Sequence, residues 1–288
     1  MYVEHLEPII RRQHFPLILV HDDFQTGQLA AEIIERELTA TAESEVPGWE
    51  RAGLHDKWPG KAERESLAQD GLRALLHRSG KALLVGVGAG AVAAWLVADV
   101  EPDLVAGVVA IDPSGPPCGL AHSVPDARGI REYSPFIRRA YGLRRYSVTD
   151  IPMTFYPPLR PGDGLERELA PPHAGDTRIG RGGGGGGRAR SVRKLVNLQK
   201  MRHAVVTSHA GPHTSYDWAT VYFLRDAGLD VSWLRLEDLG ILGNGHLMFL
   251  ETNSDQVASQ VRQVLEDMAL DAEIGGGRGF SAIGEDEC

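Results

Sequence analysis

Cysteine is nearly absent from this chain: two occur in 288 residues, Cys118 and Cys288. That excludes a disulfide framework and a cysteine-built metal cluster. Long apolar runs are missing too. No stretch reaches the roughly 18 residues of a membrane span. The amino-terminal "MYVEHLEPIIRRQHF" also lacks the uninterrupted apolar centre of a signal peptide. The expectation is a cytoplasmic protein with no membrane partner. Nor is there a surplus of positive charge. The formal net charge is −9, which repels a polyanion and argues against a nucleic-acid partner. One basic stretch, "RIGRGGGGGGRARSVRK", runs against that trend, but Gly182 to Gly187 form a single tract rather than repeated units. It reads as a flexible surface linker. What is present is ordinary for a globular protein: 42% hydrophobic and 24% charged residues, in a chain long enough for one sizeable α/β core.

Short apolar runs alternate with helical periods. Strands are predicted at "PLILVH" (16–21), "KALLVGV" (81–87), "LVAGVVAI" (104–111), "HAVVTS" (203–208) and "DVSWLRLED" (230–238). Helices are predicted over 29–44, over 61–80, after Ala89, over 215–228 and over 254–270. The strand, helix and strand from Lys81 to Ile111 make a βαβ unit that crosses over into a parallel sheet. From Pro113 to Arg193 the pattern degrades into proline, arginine and glycine, as in a lid or mobile excursion. The fold class is therefore α/β, a mostly parallel sheet flanked by helices. It is read as one domain over 1–270, with 113–193 as the excursion and 271–288 as a disordered tail.

The stretch "KALLVGVGAGAVAAWLVADV" joins a strand to a helix through glycines, a layout that brings backbone N–H groups and a helix dipole to the sheet edge. Three readings fit it. Gly86-x-Gly88-x-x-Ala91 matches a dinucleotide cradle, with Asp112 closing the next strand where a ribose-binding acid belongs. Gly86-Val87-Gly88-Ala89-Gly90 also overlies G-x-S-x-G, the turn that presents a serine nucleophile, with glycine at the serine position. Close packing of strand on helix requires no chemistry at all.

The late segment "GILGNGHLMFLETN" separates these readings. It places His246 on a glycine- and asparagine-rich loop between the last strand and the last helix, and a dinucleotide domain has no use for that histidine. Gly88, Asp112 and His246 follow the chain order of nucleophile, acid and base. His209 and His213 in "SHAGPHTSYD" fit no trusted metal spacing and read as surface or pocket-lining residues, so no metal is expected.

The stretches "MYVEHLEP", "FQTG", "LHDKWPG", "LVADVEPDLVAGVVAIDPSGPP", "TDIPMTFYPP", "LVNLQK", "FLRDAG" and "GNGHLMFLETNSD" resemble the α/β-hydrolase family that contains certain bacterial esterases and many fungal relatives. The resemblance implies an α/β-hydrolase-like fold, a small ester- or lactone-like substrate and no cofactor. Carried over by position, Asp112 stands where relatives usually carry a glutamate, and His246 matches the catalytic histidine. Ala89 follows the nucleophile position, and His21-Asp22-Asp23 replaces a His-Gly-Gly-like oxyanion loop. His21 itself reads as structural. Three departures stand out: Gly88 has no hydroxyl, Asp22 and Asp23 bring carboxylates to a loop that should stabilise an anion, and a helix and central strand after Gln28 are missing. Ser114 and Cys118 lie beyond the acid and off the strained turn, which disfavours them as substitute nucleophiles. The expectation is an esterase by ancestry that does not work through an acyl-serine. The alternatives are a non-catalytic ligand-binding relative and an NAD(P)-dependent oxidoreductase.

Overall fold

The structure, a computed structural model, describes residues 14–21, 60–125, 131–139, 144–160, 162–165 and 193–275. Its strands, in chain order, are β1 (Leu17–Val20), β2 (Ala82–Val87), β3 (Val105–Ile111), β4 (Gly119–Pro125), β5 (Arg131–Arg139), β6 (Phe155–Tyr156), β7 (Lys194–Leu195), β8 (Arg202–Thr207) and β9 (Val231–Arg235). The helices among the described residues are α1 (Lys61–Ser79), α2 (Ala89–Val100), α3 (Asp217–Asp226) and α4 (Ser254–Gly275).

Five strands form one sheet in the order β1-β2-β3-β8-β9, every pair parallel. The central strands read as unbroken apolar runs because both faces of the sheet are covered. Leu84, Val108 and Val205 point to one side and pack with Leu72 and Leu76 of α1, Trp95 of α2 and Leu224 of α3. Leu83, Val85, Val109 and Val206 point to the other, into a second core with Val261, Leu265 and Met268 of α4. The alternation of two along each strand thus sorts side chains between two layers of helix. Carboxyl ends of all five strands share one edge, so the loops after β1, β2, β3, β8 and β9 meet there.

Two sequence expectations change. The excursion between β3 and β8 is not wholly irregular. Antiparallel β4 and β5 form a hairpin, and β6 pairs with β7. "GLAHSVP" and "REYSPFIRR" mix polar residues and prolines with apolar ones, so the period of two that marks a half-buried strand is absent. Helix α4, expected over 254–270, runs on to Gly275. The expected helix over 29–44, Asp22 and Asp23, the gap after Gln28, the glycine tract and residues beyond 275 lie outside the described residues.

Segment 144–160 is laid across α1 and α2 and held by buried carboxylates. Glu65 Oε2 accepts the N–H groups of Asp150 (2.7 Å) and Ile151 (3.0 Å). Lys61 pairs with Asp150 at 3.2 Å. From α2, Asp99 Oδ2 accepts both the N–H (2.8 Å) and the hydroxyl (3.0 Å) of Thr154. Burial pushes the Glu65 and Asp99 carboxyls above their ordinary values, partly offset by the bonds they accept.

Candidate active site

The turn from β2 to α2 is fixed by close backbone approach. A Cβ on Gly86 would collide with the Gly90 carbonyl and the Ala91 backbone, and one on Gly90 with the carbonyl oxygens of Val20 and His21. Between them, Gly88 has φ 54° and ψ −116°, a conformation that side chains with a Cβ rarely adopt. Its N–H donates to Ile111 O (3.0 Å) and its carbonyl accepts from Ser114 N (3.1 Å), which ties the turn to the end of β3. Ala89 opens α2. His21 directly follows β1 at this edge. Ser114 lies beside Gly88, whereas Cys118 is buried with its Sγ 3.4 Å from the Arg144 carbonyl.

Asp112 follows β3, with φ 40° and no exposed surface. Its Oδ1 accepts the Ser208 N–H from the end of β8 at 2.8 Å. Its Oδ2 lies 3.3 Å from Nδ1 of His246, across 134 residues of chain. His246 is the more accessible partner, with 24% of its side chain exposed. Both carboxylate oxygens are engaged inside the protein, so Asp112 does not present an open carboxylate to a ribose, as the dinucleotide reading requires.

The His246 loop is shaped by a polar belt that the sequence reading did not single out. Buried Asn244 donates through Nδ2 to Glu251 and to Asn253 Oδ1 (2.7 Å), and accepts from Asn253 Nδ2 at 2.9 Å. Glu251 Oε1 accepts the Gly245 N–H at 2.8 Å, and the Asn244 carbonyl accepts the Ala210 N–H at 2.8 Å. His209 Nδ1 accepts the Gly243 N–H at 3.0 Å. These bonds tie the loop to itself and to the residues after β8, which gives His246 a fixed platform.

A second imidazole stands against the first. The His213 and His246 rings stack with centroids 4.7 Å apart and planes 12° from parallel. His213 Nδ1 is 2.7 Å from the Tyr216 hydroxyl and 3.6 Å from Oδ1 of Asp217, at the start of α3. Asp217 is wholly buried, and its Oδ2 accepts the Thr207 hydroxyl at 2.8 Å. Thr207 in turn accepts the Trp233 indole N–H at 2.9 Å. Burial pushes the Asp217 carboxyl up to about 6, against the opposing pull of His213. The i,i+4 spacing of His213 and Asp217 in "HTSYD" was the signal available in sequence.

Asp112, His213 and His246 also offer ligand atoms that lie within 4.8 Å of one another, so they are the described residues that would hold a metal ion. Near-parallel rings set their in-plane lone pairs side by side rather than toward a common point, and Asp112 and His246 are already at hydrogen-bond distance. The arrangement suits proton transfer better than chelation.

No family model matches the chain. It is 27% identical over 237 residues to the probable secreted lipase phiG of a fungal species (strain ATCC 74256), an alignment covering 74% of this chain and 59% of the lipase. The chain thus spans less than two thirds of that relative's length. Among solved structures, it is similar to a thermophilic carboxylesterase cloned from a metagenomic library (15% identity, 92% of this chain and 82% of that one, TM-score 0.42). It is also similar to a Rhizomucor miehei esterase (13%, 90% and 76%, TM-score 0.41) and to the Paleococcus ferrophilus monoacylglycerol lipase (14%, 89% and 96%, TM-score 0.40). No helix among the described residues is long and apolar enough to cross a membrane.

Proposed function

We propose that the chain is an esterase-like protein of α/β-hydrolase ancestry in which Asp112 and His246 form a general base acting on a small ester- or lactone-like substrate without an acyl-serine intermediate. The observation that carries this reading is the Asp112–His246 contact at 3.3 Å, made by loops from two different strands at the edge where the Gly88 turn also lies. An aspartate on Nδ1 fixes the tautomer and makes Nε2 the proton-accepting nitrogen, the arrangement a base needs. The likeness to a secreted lipase supports the substrate class.

Gly88 supplies no hydroxyl, so attack falls to water or to a group of the substrate itself. His246 would take the proton from water as its oxygen adds to the carbonyl, and return it to the departing alkoxide as the C–O bond breaks. The Asp112 carboxylate would stabilise the imidazolium formed between these steps.

A fluorophosphonate probe is expected to label no serine, and the Gly88→Ser variant to gain labelling only weakly. Slow hydrolysis of activated esters or lactones in the native chain should fall at least ~10-fold in His246→Gln and in Asp112→Asn. Serine labelling of the native chain, mapped by mass spectrometry, overturns the reading. Gly88 also favours a second reading, a protein that keeps the pocket and binds without turnover. Saturable ester-analogue binding with no hydrolysis at all would establish it.

A further inference from the structure

We propose that Arg144 is a substrate-binding residue: its guanidinium takes a carboxylate at the far end of the substrate, which makes the preferred ester or lactone a monoanion rather than a neutral molecule. The proposal rests on the reading of the chain as an esterase-like protein and adds the chemical class of what it takes.

This guanidinium is a largely buried cation with little to hold it. Nη1 donates to Gly119 O at 2.7 Å, while Nε is buried and has no hydrogen-bond partner. No carboxylate among the described residues stands at ion-pair distance from it. The two acids that act on it are committed elsewhere. Asp150 Oδ1 accepts the Arg144 backbone N–H at 2.6 Å, and its Oδ2 pairs with Lys61 at 3.2 Å. Glu65 Oε2 accepts the N–H groups of Asp150 and Ile151, and burial raises its carboxyl above the ordinary value, so it holds negative charge less readily. A guanidinium taken out of water costs free energy when its charge is unmatched. Nε and the Nη beside it form an edge that pairs side-on with a carboxylate.

Its position ties it to the site. Arg144 has φ 46°, a left-handed conformation that arginine rarely adopts, held by the Asp150 bond and by its own carbonyl, which accepts the Ser147 N–H at 3.0 Å. The Tyr216 hydroxyl acts on the guanidinium electrostatically ahead of Asp150 and Glu65. That hydroxyl lies 2.7 Å from Nδ1 of His213, whose ring stacks on His246. The loop after Asp112 packs on the same tyrosine, where a Cβ on Gly115 would come within 3.0 Å of the ring. A substrate with its ester at His246 and its chain running past Tyr216 would end with its charge at Arg144. Lys61 adds a positive charge, and Asp150 and Glu65 oppose it. Beside those two carboxylates, a singly charged group is better tolerated than a dianion such as phosphate.

The test compares two amide analogues that resist turnover, glutaric acid mono-N-ethylamide and the neutral N,N′-diethylglutaramide, by chemical-shift titration of the full chain at fixed ionic strength. The monoanion is expected to bind at least ~10-fold more tightly. Arg144→Gln keeps a donor for Gly119 O without the charge, and should remove that preference while leaving affinity for the neutral amide unchanged. Arg144→Lys keeps the charge without the fork and should retain only part of the preference. Inorganic phosphate should compete more weakly than the monoanion. Equal affinities in the native chain, a preference that survives in folded Arg144→Gln, or stronger competition by phosphate overturns the proposal. Should Arg144→Gln not fold, an undiminished preference in Arg144→Lys overturns it instead, and should neither fold, the native comparison decides. Hydrolysis of monoethyl and diethyl glutarate separates the two readings. A charge preference in binding with no turnover of either ester upholds Arg144 and removes the base, whereas turnover of both with no charge preference removes Arg144 alone.

Discussion

The sheet interior and the segment laid across α1 and α2 share an apolar core but differ in what else fixes them. In β2 and β3 every side chain is Ala, Val, Leu or Ile, as are those of Ala204, Val205 and Val206 in β8, and Trp95 of α2 is completely enclosed. Over 144–160, Val148, Met153 and Phe155 reach into the same apolar core, but the directional contacts are carboxylates taken out of water, Glu65 and Asp99, each accepting two bonds from the segment they hold. The first arrangement is non-directional and tolerates redistribution. The second depends on a few oxygens whose burial is costly unless every bond is made. Asp217 stands at the seam between the sheet edge and its loops and belongs, energetically, with the second kind.

Truncating the apolar side should do most harm. Trp95→Ala is expected to cost about 3–5 kcal/mol in global stability, read as a lowered denaturant midpoint. A variant within ~1 kcal/mol of wild type would show that the interior collapses around the gap.

On the charged side, Asp217 gives a defined pH window, between its ordinary 3.8 and its buried value of about 6. A carboxyl raised on folding contributes stability that is full below the lower value and is lost as pH rises through the upper one. Wild-type stability should therefore lose a component on the order of 1–3 kcal/mol between pH 4 and 6.5, and Asp217→Asn should flatten that slope in melts taken across the range. An unchanged slope would move Asp217 out of the comparison.

Glu65→Gln sharpens the contrast further. One amide oxygen still accepts, but the charge is gone, so about 1 kcal/mol should be lost locally from 144–160. Limited proteolysis should cut that segment several-fold faster while the global melting point moves by only ~1–2 °C. Smallest of all, Lys200→Ala removes an exposed pair with Asp103 and should change stability by less than about 0.5 kcal/mol.

The same division explains what could be read from sequence. "KALLVGV", "LVAGVVAI" and "HAVVTS" announce buried parallel strands because continuous apolar runs ended by glycine or a polar residue have few other uses. Asp112 and His246 were legible as a pair through their positions after strands, which the sheet then brings to one edge. The β4–β5 hairpin was not, since its composition carries no period. Nor was the tie from Glu65 to Asp150, which joins residues 85 apart through a carboxylate that reads as an exposed helix charge. His213 and Asp217 were visible only as neighbours four apart, and the ring that makes them interesting comes from the next loop at the sheet edge, between β9 and α4.

That distance has a kinetic side. The contact between Asp112 and His246 closes a loop of 134 residues, and contacts of such separation form late compared with a helix or an adjacent strand pair. During synthesis the Gly88 turn emerges well before His246, whose loop sits between β9 and α4. A nascent chain thus carries Asp112 without its His246 partner until the carboxyl-terminal strand has docked. Formation of that contact is then a clock for completed folding: in a refolding experiment, the His246 resonance should take its native position only with the last-forming contacts of α4.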